Sequence, residues 1–248
     1  MNNKGRTGAP ETSRKLAVLG FHKIGPPPPG HSSTWFYISE SVFESFLCWL
    51  QGSSWRVIDV ETFLCGLDRP DSLPERAALL TFDDGYRSMR HVALPLLRSF
   101  GFPSVLFVPV SYIGSTNSFD ADAEPEEPIC GWDDLEELQR GKVSVQSHGV
   151  THRRLSTLDD AQLRYEVEHS KLTIEGRMGH AVKIFSFPYG DNGFEPRVTA
   201  AVLRETGYSA AFLYGGGPNS IPPRDRFGLQ RLAMGPDTDL AASLLGAA

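Results

Sequence analysis

Leu79-Leu80-Thr81-Phe82-Asp83-Asp84-Gly85 decides the fold. Residues 79–82 are an apolar run of strand length, and two adjacent carboxylates followed by glycine stand where such a strand leaves the core. Successive side chains on an extended backbone point to opposite sides, so Asp83 and Asp84 face different surroundings and can take different jobs, one toward a metal and the other toward a reacting water. Gly85 permits a sharp turn, and residues 86–100 carry a helical pattern that breaks at Gly101-Phe102-Pro103. Residues 104–110, SVLFVPV, then read as the next buried strand. Strand, helix of crossover length, strand implies parallel pairing. An aspartate that only caps the following helix would leave the same D-D-G signature, so other segments must decide between chemistry and capping.

Upstream, residues 15–21, KLAVLGF, form a strand that ends at His22 beneath a stiff loop containing Pro26 to Pro29. Residues 39–50 form an amphipathic helix with Ser39 as N-cap and Gly52 as stop, residues 55–60 a short strand, and 61–67 a further helical turn. Downstream, residues 115–128 are acidic, contain proline and lack periodicity, which makes them a surface loop overhanging any pocket there. Residues 132–139 are helical with Asp133 and Asp134 in the first turn, and Gly141 stops them. The strand 142–146 leads into Ser147-His148-Gly149-Val150-Thr151-His152, where two histidines at i and i+4 have a metal-ligand spacing. The plain alternative is that His148 and His152 only hydrogen-bond within a loop.

The long helix 158–178 carries Glu166, Lys171 and other charges that read as a solvated face. Residues 184–187 are a strand running into Pro188-Tyr189-Gly190, a rigid turn whose backbone amides can point into a cleft. Helix 196–206, strand 209–213, a last short strand 229–233 carrying Arg231, and helix 238–245 complete the chain. Four loaded turns, at His22, Asp83-Asp84, His148/His152 and Pro188-Tyr189, each follow a strand in a βα-alternating order. In barrels and open parallel sheets the site lies at the carboxyl ends of the strands, so these turns should converge. One aspartate and two histidines leave coordination positions open, which suits Zn²⁺ or another divalent first-row ion.

The chain has 248 residues, 40% hydrophobic and 22% charged, enough for one large core. We read a single domain over 15–248 behind a flexible polar segment, 1–14. A net charge of −6 with no basic stripe argues against nucleic acid as partner. No apolar run reaches the ~18–20 residues of a membrane span, and no apolar core of a secretion signal follows Lys4 and Arg6, so the expected location is cytoplasmic. Cys48, Cys65 and Cys130 are widely spaced and expected to be buried reduced thiols.

Thr81-Phe82-Asp83-Asp84-Gly85, Ser147-His148-Gly149-Val150-Thr151-His152 and Phe187-Pro188-Tyr189-Gly190, in that order, resemble the first three motifs of the polysaccharide deacetylases of carbohydrate esterase family 4, the NodB-like domain. The resemblance runs from about Lys15 onward and includes Trp132-Asp133. It implies an α/β fold, a distorted (β/α) barrel with about seven strands in place of the regular eight, and removal of an N-acetyl or, less favoured, an O-acetyl group from an amino sugar or polysaccharide. By the same resemblance Asp84, His148 and His152 hold a divalent metal, Zn²⁺ first and Co²⁺ or Ni²⁺ as alternatives. Asp83 is the general base, and the Tyr189 N–H helps bind the oxyanion. Phe185-Ser186-Phe187 stands where the family's usual arginine precedes Pro-Tyr, and the common Leu-x-His near the C-terminus is absent. His22 in Gly20-Phe21-His22 resembles the N-terminal histidine of the poly-N-acetylglucosamine deacetylase branch, which implies that, protonated, it serves as general acid; Arg231 resembles the family's later arginine beside the base. Two rivals share the fold: a hydrolase of a non-sugar amide, and a catalytically silent carbohydrate-binding domain. The substrate's length and the oligomeric state are not encoded in these patterns.

Overall fold

The computed structural model describes residues 14–245. Residues 1–13 of the expected flexible segment lie outside that range, and Arg14, its last member, is the first residue of β1 (Arg14–Phe21). The elements that follow are β2 (Lys23–Ile24), β3 (Tyr37–Ile38), α1 (Glu40–Gly52), β4 (Arg56–Val57), α2 (Val60–Asp68), β5 (Arg76–Phe82), and a π-helical turn, Met89–Ala93, that runs into α3 (Leu94–Phe100). Then come β6 (Ser104–Val108), α4 (Trp132–Arg140), β7 (Val143–Ser147), α5 (Asp160–Met178), β8 (Ile184–Ser186), α6 (Pro196–Glu205), β9 (Ala210–Phe212), β10 (Asn219–Ile221), β11 (Leu232–Ala233) and α7 (Leu240–Leu245). Several helix starts follow the expected capping chemistry, with Ser39 accepting from the Val42 N–H and Asp59 from the Thr62 N–H.

The sheet runs β10-β1-β5-β6-β7-β8-β9, parallel throughout except for the antiparallel pair β10 and β1. Right-handed crossovers through helices are what parallel neighbours require. The segment expected as one strand, 229–233, is split between β9, at one end of this path, and β1, next to the other end. Leu229 bridges Phe212 of β9, while Leu232 and Ala233 pair with Leu19 and Gly20 of β1. The curled sheet is thereby drawn together into the distorted barrel of seven strands, in a single domain. The expected strand 55–60 is shorter, because Asp59 is already the N-cap of α2. The short pair β2 and β3, and β10, were not read from the sequence; two or three residues do not establish a period.

Alternation divides every central strand between two cores. Ala17, Leu19 and Phe21 of β1, Ala78, Leu80 and Phe82 of β5, Leu106 and Val108 of β6, and Val143 and Val145 of β7 face the helices. Leu16, Val18, Ala77, Leu79, Val105, Phe107, Ile184, Ala210 and Phe212 fill the inner side. Following the inner row toward the carboxyl ends by steps of two leads from Val18 to Gly20 and His22, from Leu79 to Thr81 and Asp83, from Gln146 to His148, and from Ile184 to Ser186. The inner row is thus apolar at one pole and polar at the other, which builds the site.

The cysteine expectation holds for one residue only. Cys130 is buried, whereas Cys65 is half-buried and Cys48 exposed, on the outer side of α1. All three are free thiols.

Candidate active site

The four loaded turns meet around one cavity of about 380 Å³, lined by His22, Asp83, Asp84, His148, His152 and Tyr189 among others. Ladder bonds carry the strand geometry one residue past each strand end: the Asp83 N–H donates to Phe21 O at 2.9 Å, and the His148 N–H to Val108 O at 3.0 Å. The chain then leaves the extended region abruptly. Asp84, His152 and Tyr189 all have positive φ, at 69°, 55° and 57°. Side-chain-bearing residues disfavour that conformation, and it clusters where surrounding contacts over-determine it.

Asp84, His148 and His152 each offer a ligand atom, all within 4.8 Å of one another and all buried. Asp84 Oδ1 lies 3.0 Å from His152 Nε2 and 3.4 Å from His148 Nε2, yet accepts no directed hydrogen bond. His148 Nδ1 donates to the Ser186 carbonyl at 2.8 Å. A carbonyl can only accept, so in its neutral form the ring carries its Nε2 lone pair toward the cluster, the orientation an outer hydrogen-bond partner imposes on a metal-bound histidine. Lone pairs gathered at such distances, out of water, with one carboxylate to supply charge, fit a divalent cation bound by three protein ligands. Burial would raise the Asp84 carboxyl, but the charge and hydrogen-bonding capacity of His152 and His148 outweigh it and hold the group well below the usual carboxylate range. Burial would likewise lower His148, and the carboxylates Asp83 and Asp84 reverse that.

Asp83 points into the barrel, apart from that cluster. Its Oδ1 accepts from Arg231 Nη1 at 2.7 Å and its Oδ2 from Arg231 Nη2 at 2.6 Å. Arg231 is fully buried; it also donates to the Leu213 carbonyl and to Ser186 Oγ, and it stacks near the Phe107 and Tyr214 rings. Burial works to raise Asp83, and Arg231, together with His148 and His22, more than offsets it, so the carboxyl is held below its ordinary value. Gly20 makes room here, since a Cβ on it would stand 3.2 Å from the Tyr214 ring. Ser186 occupies the position where the resemblance would place an arginine; its hydroxyl sits between Arg231 and Asp83.

His22 also lines the cavity, its Nε2 3.9 Å from Asp84 Oδ2. Burial pulls its pKa down, against the pull of the two aspartates. Tyr189 is 41% exposed at the rim, and its hydroxyl donates to Asp120 Oδ1 at 2.7 Å. This bond ties the Pro-Tyr turn to the acidic loop 115–128, whose Asp120, Ala123 and Glu124 line the cavity. Glu124 in turn pairs with the buried Lys23 at 2.7 Å. The proline-rich residues 26–31 do not line the cavity; Phe36, beyond them, does.

This geometry has counterparts. The polysaccharide deacetylase family profile matches residues 71–211. The chain belongs to the polysaccharide deacetylase family. YxkH of Bacillus subtilis (strain 168), named as a polysaccharide deacetylase, is 24% identical over 198 residues, covering 80% of this chain and 64% of that protein. The poly-beta-1,6-N-acetyl-D-glucosamine N-deacetylase of Escherichia coli (strain K12) is 23% identical over 208 residues, covering 71% of this chain and 30% of that protein. The chain therefore spans less than two thirds of these relatives. Streptococcus pyogenes deacetylase PplD, solved in complex with acetate, shares the fold with a TM-score of 0.79 at 17% identity, over 94% of this chain and 99% of that one. The barrel and the likeness to the poly-N-acetylglucosamine branch expected from the motifs are both borne out.

Two groups escaped the sequence reading. Glu166 and Lys171 of α5, expected on a solvated face, are 4% and 8% exposed. With Ser170 they put polar residues on the inward side of the helix, which erases the apolar period that would have revealed that side. The Lys23–Glu124 pair was also missed, because it joins residues 101 positions apart.

Proposed function

We propose that this chain is a metal-dependent deacetylase that hydrolyses the N-acetyl group of an amino sugar within an acetylated saccharide, with poly-N-acetylglucosamine as the substrate class its relatives' names suggest. The observation that carries the reading is the buried Asp84, His148 and His152 cluster on the wall of an open cavity, with a second, unligated carboxylate, Asp83, beside it. Asp84, His148 and His152 would hold the cation, Zn²⁺ ahead of Co²⁺ or Ni²⁺ because two imidazoles and one carboxylate suit a borderline-soft ion. When bound, the cation supplies Lewis acidity toward a water and the acetyl carbonyl.

The chain's own residues do the rest. Asp83 takes a proton from the attacking water. Arg231 positions that carboxylate and keeps it charged, so a proton it receives is readily passed on. The Tyr189 N–H, on a turn held by the Asp120 contact, donates to the oxygen that gains charge in the tetrahedral state. An amine departs from carbon only when protonated, and His22, protonated and 3.9 Å from Asp84 Oδ2, is the group to deliver that proton.

The test is acetate release from N-acetylglucosamine monomers and oligomers, with elemental analysis of the same protein. Stoichiometric divalent metal together with acetate release supports the reading. Metal without turnover on any acetylated sugar refutes the deacetylase assignment, and release of another carboxylate from a non-sugar amide replaces it.

A further inference from the structure

We infer that Glu166 is a positioning residue for the metal centre, a role resting on the metal-site reading above. Its carboxylate is buried on the inward side of α5, and among the described residues it has no basic partner within salt-bridge distance. It receives three donors from the histidine loop instead. Oε2 accepts from the Val150 N–H at 2.6 Å and the Thr151 N–H at 2.9 Å, and Oε1 accepts from the Thr151 hydroxyl. The opposite side of the same loop is held as well: the Gly149 and Val150 carbonyls accept from the Val110 and Ser111 N–H groups at 3.1 and 3.0 Å.

The residue that follows these bonds is His152, the ligand with a left-handed backbone. Left to itself, a residue with a Cβ leaves that region. Two consecutive amides pointing at one anion fix the peptide planes on its amino side, and with them the direction in which the His152 ring is carried toward Asp84. Gly149 completes the fit, having φ +80° and no Cβ; a Cβ there would stand 2.9 Å from Glu166 Oε2. An anion is what the arrangement asks for, since charge-assisted bonds to N–H groups are about twice as strong as neutral ones. His148 reaches the cluster from a regular strand end and needs no such brace, so the two histidines are held by separate devices.

The experiment measures zinc affinity of metal-free protein by competition with a chromophoric chelator, in the parent, Glu166→Leu and Glu166→Gln. Leucine fills the space without accepting hydrogen bonds, whereas glutamine keeps one carbonyl for the two amides. Bracing predicts a loss of about tenfold or more in affinity for Glu166→Leu, with substantial recovery in Glu166→Gln. Amide hydrogen exchange at Val150 and Thr151 in the metal-free state should lose protection in the same order. Affinity in Glu166→Leu equal to the parent's, or better than that of Glu166→Gln, overturns the inference, because a space-filling role predicts that order. If circular dichroism shows Glu166→Leu unfolded, Thr151→Val decides: a weakened zinc affinity in a folded protein supports the brace, and an unchanged one overturns it. A parent that binds no zinc refutes the metal reading itself and the inference with it.

Discussion

Replacing Arg231 by methionine removes a guanidinium whose two nitrogens lie 2.7 and 2.6 Å from the two oxygens of Asp83. Asp83 is 2% exposed and Arg231 0%, so the variant leaves a buried carboxylate without its counter-charge. An uncompensated buried carboxylate costs about 3–5 kcal/mol, and that is the destabilisation expected near neutral pH. The pH dependence supplies the stricter test. In the parent, Asp83 is held below its ordinary value, so its stabilising contribution is present above about pH 4 and lost as pH falls through the lower folded value. In Arg231→Met burial still raises Asp83 while His148 and His22 still lower it, and with the largest lowering influence gone its folded pKa rises above the parent's. The stability gap between the two proteins is therefore largest near neutral pH and narrows as acid protonates Asp83 in the variant. Urea unfolding of chelator-treated protein, at neutral pH and at about pH 5, measures both gaps. Adding Asp83→Asn to Arg231→Met should recover part of the loss, since a neutral amide needs no counter-charge. A gap under about 1 kcal/mol at neutral pH, or one that does not change with pH, refutes the argument that this pair is a buried, mutually dependent ion pair.

Asp83→Asn should lower kcat for acetate release by on the order of 10²-fold or more while metal content persists, whereas Asp84→Ala should lose the metal; parallel elemental analysis and kinetics separate the two aspartates. His22→Gln should slow amide substrates far more than an activated aryl acetate, whose leaving group needs no proton, and equal losses on both would remove His22 from the acid's role. Thiol titration of the native protein should leave Cys130 unreactive, since burial pushes its pKa up to about 12. Cys65, lowered by its hydrogen bonds with Ser72 and Arg69, should react readily, and release of all three thiols only on unfolding would contradict the exposure assigned to Cys65 and Cys48.

Much of the site could be read before any coordinates. The apolar runs ending at His22, Asp83, Ser147 and Phe187 each announce a strand and mark its carboxyl end, and parallel connection brings those ends to one pole. The alternation of side chains separates Asp83 from Asp84 in advance. What failed did so for lack of a local signal. Glu166 and Lys171 look like ordinary surface charges of a long helix, and nothing within α5 shows that Glu166 reaches the histidine loop or Lys171 the Val182 carbonyl. Cys48 sits among apolar residues in the sequence and on the exposed side of α1 in space.

The sequence by itself determined the kinds of elements, their parallel order and which residues end the strands, because backbone period and turn chemistry act between neighbours a few positions apart. Only the tertiary structure decided that residues 229–233 divide between β9 and β1, and that Arg231 thereby meets an aspartate 148 positions away. It likewise decided that an anion on α5 receives the loop carrying His152. Such encounters depend on how the sheet curls and closes, which no short stretch of chain encodes.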